Sequence, residues 1–143
     1  MVHAGLVAVR AHGRWQGVLI EGAAGSGKSD LALRALGEGF ALVADDRVVL
    51  WISGGRLFGR APDALAGLIE VRGLDVVRVS PVPLCEIALA VGAGAPDRLP
   101  EPAFADILGL RVPRLVLALE EASAPAKLSR ALSHFDAAHK RRI

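Results

Sequence analysis

The chain has 143 residues, 52% of them hydrophobic and 22% charged, with a formal net charge of +2. A chain of that length makes one domain able to bury about two-thirds of its unfolded surface, and the charge is too small to argue for a nucleic-acid partner. Mean hydropathy is high at +0.42, yet no apolar run reaches the ~18 residues that a membrane span requires, so the hydrophobicity points to a well-covered sheet.

Cys85 is the single cysteine, which excludes an internal disulfide and argues against a zinc–thiolate site. The opening MVHAGLVAVR lacks the basic region and long apolar core of a secretory signal, and the expected location is the cytoplasm. In chain order, Leu6 to Arg10 and Gly17 to Glu21 read as strands joined by the polar turn AHGR. From Ser29 the period changes, and DLALRAL reads as a short helix ended by Gly37 and Gly39. Leu42 to Ala44 and Val48 to Ile52 are further strands, the second running into the turn SGG.

Pro62 suits the start of a helical turn, followed by IEVRG and a strand over VVRV. Leu84 to Val91 is strand-like, and the Gly-, Ala- and Pro-rich stretch from Gly92 to Pro102 reads as a long loop. Leu115 to Leu119 is the last expected strand. Leu128, Ala131, Leu132, Phe135 and Ala138 then recur at helical spacing, an amphipathic C-terminal helix whose basic end HKRRI reads as solvated. Without repeats or a composition break, residues 1–143 are expected to form one strand-rich α/β domain.

The strongest chemical signal is GAAGSGKS, spanning Gly22, Ala23, Ala24, Gly25, Ser26, Gly27, Lys28 and Ser29. It fits G-x-x-x-x-G-K-[ST] in full and lies between an expected strand and an expected helix. Glycines let successive N–H groups turn inward as a nest for phosphate oxygens, and the helix start adds partial positive charge. Lys28 is placed to reach the outer phosphates, and the Ser29 hydroxyl to bind Mg²⁺. A nucleoside triphosphate with Mg²⁺ is therefore the expected ligand class. The chain has no N-K-x-D guanine signature and no arginine-rich lid segment, and it is too short for a transporter ATPase.

Asp45 follows Ser29 by 16 residues, room for one helix, which puts Asp45 and Asp46 at the same end of the sheet as the phosphate loop. Neighbours in a strand face opposite ways, but a turn at the strand end would let both carboxylates reach the nucleotide, one towards metal and one towards the acceptor hydroxyl. Glu70 sits among apolar residues two positions before Arg72, as a metal ligand or as half of a surface ion pair.

Taken together, H-A-x-x-V-A from His3, G-x-x-G-x-G-K-S-D-L-A-L, L-V-A-D-D and L-I-E-V-R-G resemble the catalytic domain of bacterial HPr kinase/phosphorylase, in order from His3 to about Val79. The resemblance implies a phosphate-loop kinase core of the HPr kinase/PEP carboxykinase type. It also implies an ATP-dependent kinase for a serine of HPr, the small carrier of the sugar phosphotransferase system, with possible reversal by phosphorolysis. By this likeness Asp46 is the base, Lys28 binds phosphate, and Ser29 and Glu70 hold Mg²⁺ with Asp45 assisting. His3 matches the family's active-site histidine, and Arg98 its catalytic arginine in a later loop. The family's hexameric assembly is carried over as an expectation, as is a short form lacking the family's N-terminal domain. Asp75 and the Pro81–Pro83 stretch depart from the glycine-rich family pattern after R-G. A nucleotide-sensing module with little turnover and a small-molecule kinase of carboxykinase type stand as alternatives.

Overall fold

A computed structural model describes residues 1–141, with side-chain surroundings as far as Phe135. The side chain of Ala138 and those of the basic tail lie outside the described residues. Eleven strands and two helices follow in order: β1 (Val2–His3), β2 (Gly5–Ala11), β3 (Arg14–Glu21), α1 (Lys28–Leu36), β4 (Ala41–Ala44), β5 (Arg47–Ser53), β6 (Arg56–Arg60), β7 (Leu68–Val71), β8 (Asp75–Arg78), β9 (Cys85–Ala93), β10 (Ala103–Ile107), β11 (Leu110–Leu117) and α2 (Ala124–Arg141). A 3₁₀ turn at Asp63–Leu65 follows Pro62, where a helical turn is expected.

The main sheet runs β1-β5-β6-β9-β3-β2-β4 and forks at β9. The first residues of β9 pair with β6, and its last four pair with β11. β3, β9 and β11 are mutually parallel, whereas β2 is antiparallel to both β3 and β4. The connection β3–α1–β4 therefore crosses over β2 and returns β4 parallel to β3, so that both strands deliver their carboxyl ends to one edge. β7 and β8 form a separate hairpin, docked on the helical layer through buried Ile69.

Two apolar clusters occupy the two faces of the main sheet. On one face Val7, Val18, Ile20, Leu89 and Val91 pack under Leu31, Ala32 and Ala35 of α1 and Leu128 and Leu132 of α2. On the other, Leu6, Leu19, Val48, Leu57 and Ile87 close on one another where the sheet curls. Alternation along β2 sends Leu6 and Val7 to opposite clusters, both fully buried.

Three hairpins turn on two residues with positive φ: His12-Gly13 (53°, 77°), Gly54-Gly55 (58°, 74°) and Leu108-Gly109 (51°, 85°). This backbone twist matches that of the flanking strands. The third hairpin adds to the expected elements: β10 and β11 start at Ala103 and Leu110, just past the expected loop, where sequence patterning assigns no strand before Leu115. β1 and β6 are likewise strands that the periodicity leaves unassigned.

Candidate active site

α1 starts at Lys28 directly after Gly27, whose φ of 99° is a left-handed conformation that glycine adopts without a steric cost. Leu31 N–H is the first to close a helical bond, onto the Gly27 carbonyl at 2.9 Å. The N–H groups of Lys28, Ser29 and Asp30 thus lack helical acceptors, and no side chain caps this end. The loop is tightly wound. A Cβ on Gly22 would lie 2.5 Å from Ser26 Oγ and 2.9 Å from Ala93 Cβ. Ser26 Oγ is buried without a hydrogen-bond partner among the described residues, an orphan donor inside a ring of backbone donors. Lys28 Nζ donates to the loop's own carbonyls, Gly22 at 2.6 Å and Ala23 at 3.0 Å.

Asp45 directly follows β4 and is the buried charged residue of the described chain, 5% exposed. Its Oδ1 accepts from Ser29 Oγ at 2.7 Å, and its Oδ2 from the Glu70 backbone N–H at 2.9 Å. One carboxylate thus ties the phosphate loop to the β7–β8 hairpin. Sequence reasoning pairs Glu70 with this cluster through its side chain; in the structure the joining atom is its amide, while the Glu70 carboxylate is exposed.

Asp46 behaves oppositely. Its φ is 70°, and Arg47 N–H donates to the Asp45 carbonyl at 2.8 Å across it. An i→i+2 bond around a positive φ is the rare, strained form of γ-turn. The turn breaks strand alternation between β4 and β5 and sends the Asp46 side chain outwards, 66% exposed. Ala4 N–H holds the Asp46 carbonyl at 3.1 Å, while His3 Nδ1 stands 3.9 Å from Asp46 Oδ1 and Arg47 Nε 3.9 Å from Oδ2. Those distances are ion-pair reach, longer than hydrogen bonds. The two aspartates are therefore divided by environment: Asp45 engaged in the interior, Asp46 presented to solvent between two basic side chains.

Arg98 lies on the loop between β9 and β10, beside a groove formed with β11 and α2; no described contact joins it to Lys28, Asp45 or Asp46. Arg34 is a contributor the sequence motifs do not single out. It pairs with Asp30 at 2.9 Å and donates to the carbonyls of Glu121, at 2.9 Å, and Leu119. It thereby fastens the β11–α2 turn beside the phosphate loop, where a Cβ on Gly27 would lie 3.8 Å from Leu119 Cβ. Only its i, i+4 spacing from Asp30 is visible in the sequence. Cys85 is buried, and desolvation pushes its thiol up to about 12, so it stays a neutral packing group.

The donor set suits a magnesium–nucleotide complex. Ser29 Oγ and Asp45 are hard oxygen donors on one another, next to the loop that would carry phosphates. Mg²⁺ binds through one or two carboxylates, waters and substrate phosphates more often than in an all-protein cage. The described residues hold no group of three or more His, Cys, Asp or Glu side chains that could hold a metal ion by themselves.

The family model described as the HPr serine kinase C-terminal domain matches residues 1–82. The chain is 39% identical over 97 residues to an HPr kinase/phosphorylase of Mycoplasmopsis pulmonis, covering 63% of this chain and 30% of that one. It is 38% identical over 120 residues to that of Leptothrix cholodnii, covering 73% and 37%. The chain thus spans about a third of the length of these curated relatives. Its fold is similar to the HPr(Ser) kinase/phosphatase structure from Coxiella burnetii, with a TM-score of 0.81, 24% identity and 97% of each chain covered.

Proposed function

The chain belongs to the family of HPr serine kinase C-terminal domains, and from that premise we propose that it is an ATP-dependent kinase acting on a serine of HPr or a closely related phosphocarrier. The observation that carries the reading is the division of labour at Asp45 and Asp46. A buried carboxylate is locked to the phosphate-loop serine, and its neighbour is turned to solvent by a strained backbone. Phosphoryl transfer requires this pairing of a nucleotide-side carboxylate with one that meets an incoming hydroxyl.

In this proposal residues 22–29 cradle the β- and γ-phosphates. Lys28 exchanges its bonds to the Gly22 and Ala23 carbonyls for phosphate oxygens. Ser29 and Asp45 hold Mg²⁺, directly or through its water, with Glu70 as the second carboxylate; when bound, the ion neutralises charge on the phosphate oxygens. Asp46 accepts the serine hydroxyl proton as that oxygen attacks the γ-phosphorus and the bond to the ADP oxygen breaks. His3 steadies the Asp46 carboxylate. Arg98 is the loop cation available to the transferring phosphoryl group. Run backwards with inorganic phosphate, the same groups serve phosphorolysis, Asp46 then donating its proton. Hexameric assembly and a cytoplasmic location accompany the family reading as proposals; no helix among the described residues is long and apolar enough to cross a membrane.

Incubation with ATP, Mg²⁺ and HPr, followed by mass spectrometry, should give one phosphoserine on HPr. Asp46→Asn should retain nucleotide binding and lose about 10²- to 10⁴-fold in transfer, the range for a general base. Tight ATP binding with no phosphorylated protein would favour a sensing module instead, and near-normal transfer by Asp46→Asn would remove it as the base.

A further inference from the structure

The N–H groups of Lys28, Ser29 and Asp30 at the start of α1 meet no helical carbonyl. They are the donors that a phosphate chain on residues 22–29 would use. Gly27 is the residue before the helix, which makes Asp30 its third residue. An acidic side chain in the first turn is attracted by the partial positive charge of the helix start. From the third position it reaches back to the free N–H groups and caps them. A helix that must bind an anion here carries its own competitor.

Asp30 does not cap in the structure. No side chain bonds to this end of α1, and Asp30 Oδ2 accepts instead from Arg34 Nε at 2.9 Å, one turn further along the helix. An exposed i, i+4 pair of this kind adds little to stability. Its effect lies in where it holds the carboxylate.

Arg34 is itself held from outside the helix. Its Nη1 donates to the Glu121 carbonyl at 2.9 Å and its Nη2 to the Leu119 carbonyl, 87 and 85 residues away in the chain. Leu119 is buried, and the Glu121 carboxylate is engaged by Lys127 Nζ at 2.7 Å. Among the described residues, Asp30 is therefore the carboxylate that Arg34 pairs with. The planar guanidinium has donors enough to meet Asp30 and both carbonyls at once, so the β11–α2 turn fixes the cation and the cation fixes Asp30.

We propose that Arg34 keeps the phosphate loop open to its ligand, by drawing the Asp30 carboxylate off the N–H groups at the start of α1. Arg34 is then a positioning residue that touches no phosphate itself. The proposal rests on the phosphate-loop reading and adds how the empty loop escapes capture by its own acid. Arg34→Ala releases Asp30, Arg34→Ala combined with Asp30→Ala removes the competitor as well, and Asp30→Ala alone is the control. Calorimetric titration of each protein with Mg-ATP, at low and at high salt, reads the state of the loop.

Arg34→Ala should bind Mg-ATP about tenfold more weakly than wild type, the effect of one charge engaged at a helix end. That loss should shrink as salt rises. The double variant should regain most of the lost affinity, and Asp30→Ala alone should bind at least as tightly as wild type. If Arg34 serves only to hold the β11–α2 turn, the double variant will bind no better than Arg34→Ala, and that result would overturn the proposal. So would wild-type affinity in Arg34→Ala. Should Arg34→Ala fail to fold in a thermal melt, Arg34→Gln replaces it with the same expected pattern, since it keeps a donor for the turn and gives up the charge. Failure of the wild type to bind Mg-ATP would remove the phosphate-loop reading, and this proposal with it.

Discussion

Replacing Asp45 with alanine tests the central contact of the site. The carboxylate accepts one hydrogen bond from Ser29 Oγ at 2.7 Å and one from the Glu70 amide at 2.9 Å, in a position 5% exposed. Ser29 is part-buried and its hydroxyl can turn to water, so its loss is small. The Glu70 amide is fixed in β7 and donates to this carboxylate, and an unmet buried N–H costs about 1–3 kcal/mol. Relief from desolvating the carboxylate offsets part of this, leaving a net loss of about 2 kcal/mol. For a chain of this size that corresponds to roughly 6–8 °C in Tm. Asp45→Asn keeps the shape and one acceptor, while its amide N–H₂ can donate to the Ser29 oxygen. Neutral hydrogen bonds are about half as strong as charge-assisted ones, so it should lose about 1 kcal/mol. Urea unfolding of wild type, both variants and an exposed control such as Asp75→Ala would measure the series. If Asp45→Ala falls within ~0.5 kcal/mol of the exposed control, the carboxylate is not holding the hairpin to the loop and the reasoning fails.

Asp46→Gly should uncouple stability from activity. Glycine tolerates the φ of 70° and relieves strain of about 1 kcal/mol, so thermal stability should hold or rise while transfer to HPr collapses; a clear loss of stability would refute the strained-turn reading. The Glu86 carboxylate is held below its ordinary value chiefly by its hydrogen bond to Arg56, at 2.6 Å. A lowered acid stabilises the fold above its unfolded value, and the effect is lost as pH falls through the folded one. Glu86→Gln should therefore melt earlier than wild type at neutral pH and converge with it in acid, and a constant gap across pH would exclude the pair as the cause. With its thiol pushed up to about 12, Cys85 is roughly one part in 10⁴ thiolate at pH 8, and an Ellman's assay should register it only after unfolding. A Cβ on Gly17 would stand 2.5 Å from Cys85 Sγ and 2.8 Å from the Glu86 carbonyl, so Gly17→Ala should cost about 1–3 kcal/mol by overpacking; neutral behaviour in thermal melts would count against that packing.

Hairpin turns show how legibility depends on residue chemistry. Gly54-Gly55 and His12-Gly13 occupy left-handed turns in polar surroundings, and the sequence marks both as breaks. Leu108-Gly109 makes the same turn with an apolar residue in a position that glycine, asparagine or aspartate normally takes. The hydrophobic pattern runs through it without interruption, and β10 is hidden as a result. β1, two residues long, is too short for any periodicity, and only its register against Arg47 and Val48 makes it a strand.

The phosphate loop and the aspartate pair are properties of the sequence alone, because their chemistry is local. Glycine spacing sets which amides can turn inward, the lysine and serine follow at fixed reach, and one helix length brings Asp45 to the same edge. Tertiary structure alone decided which aspartate is buried and which is presented to solvent. The difference arises from a single γ-turn whose strain is held by Ala4 and by the pairing of β1 with β5, contacts between residues more than forty apart in the chain. It decided, too, that Glu70 meets Asp45 through its backbone, since β7 is placed by burying Ile69 in the helical layer and not by any attraction that the EVRG motif encodes. Long-range packing chooses among the orientations that local spacing leaves open.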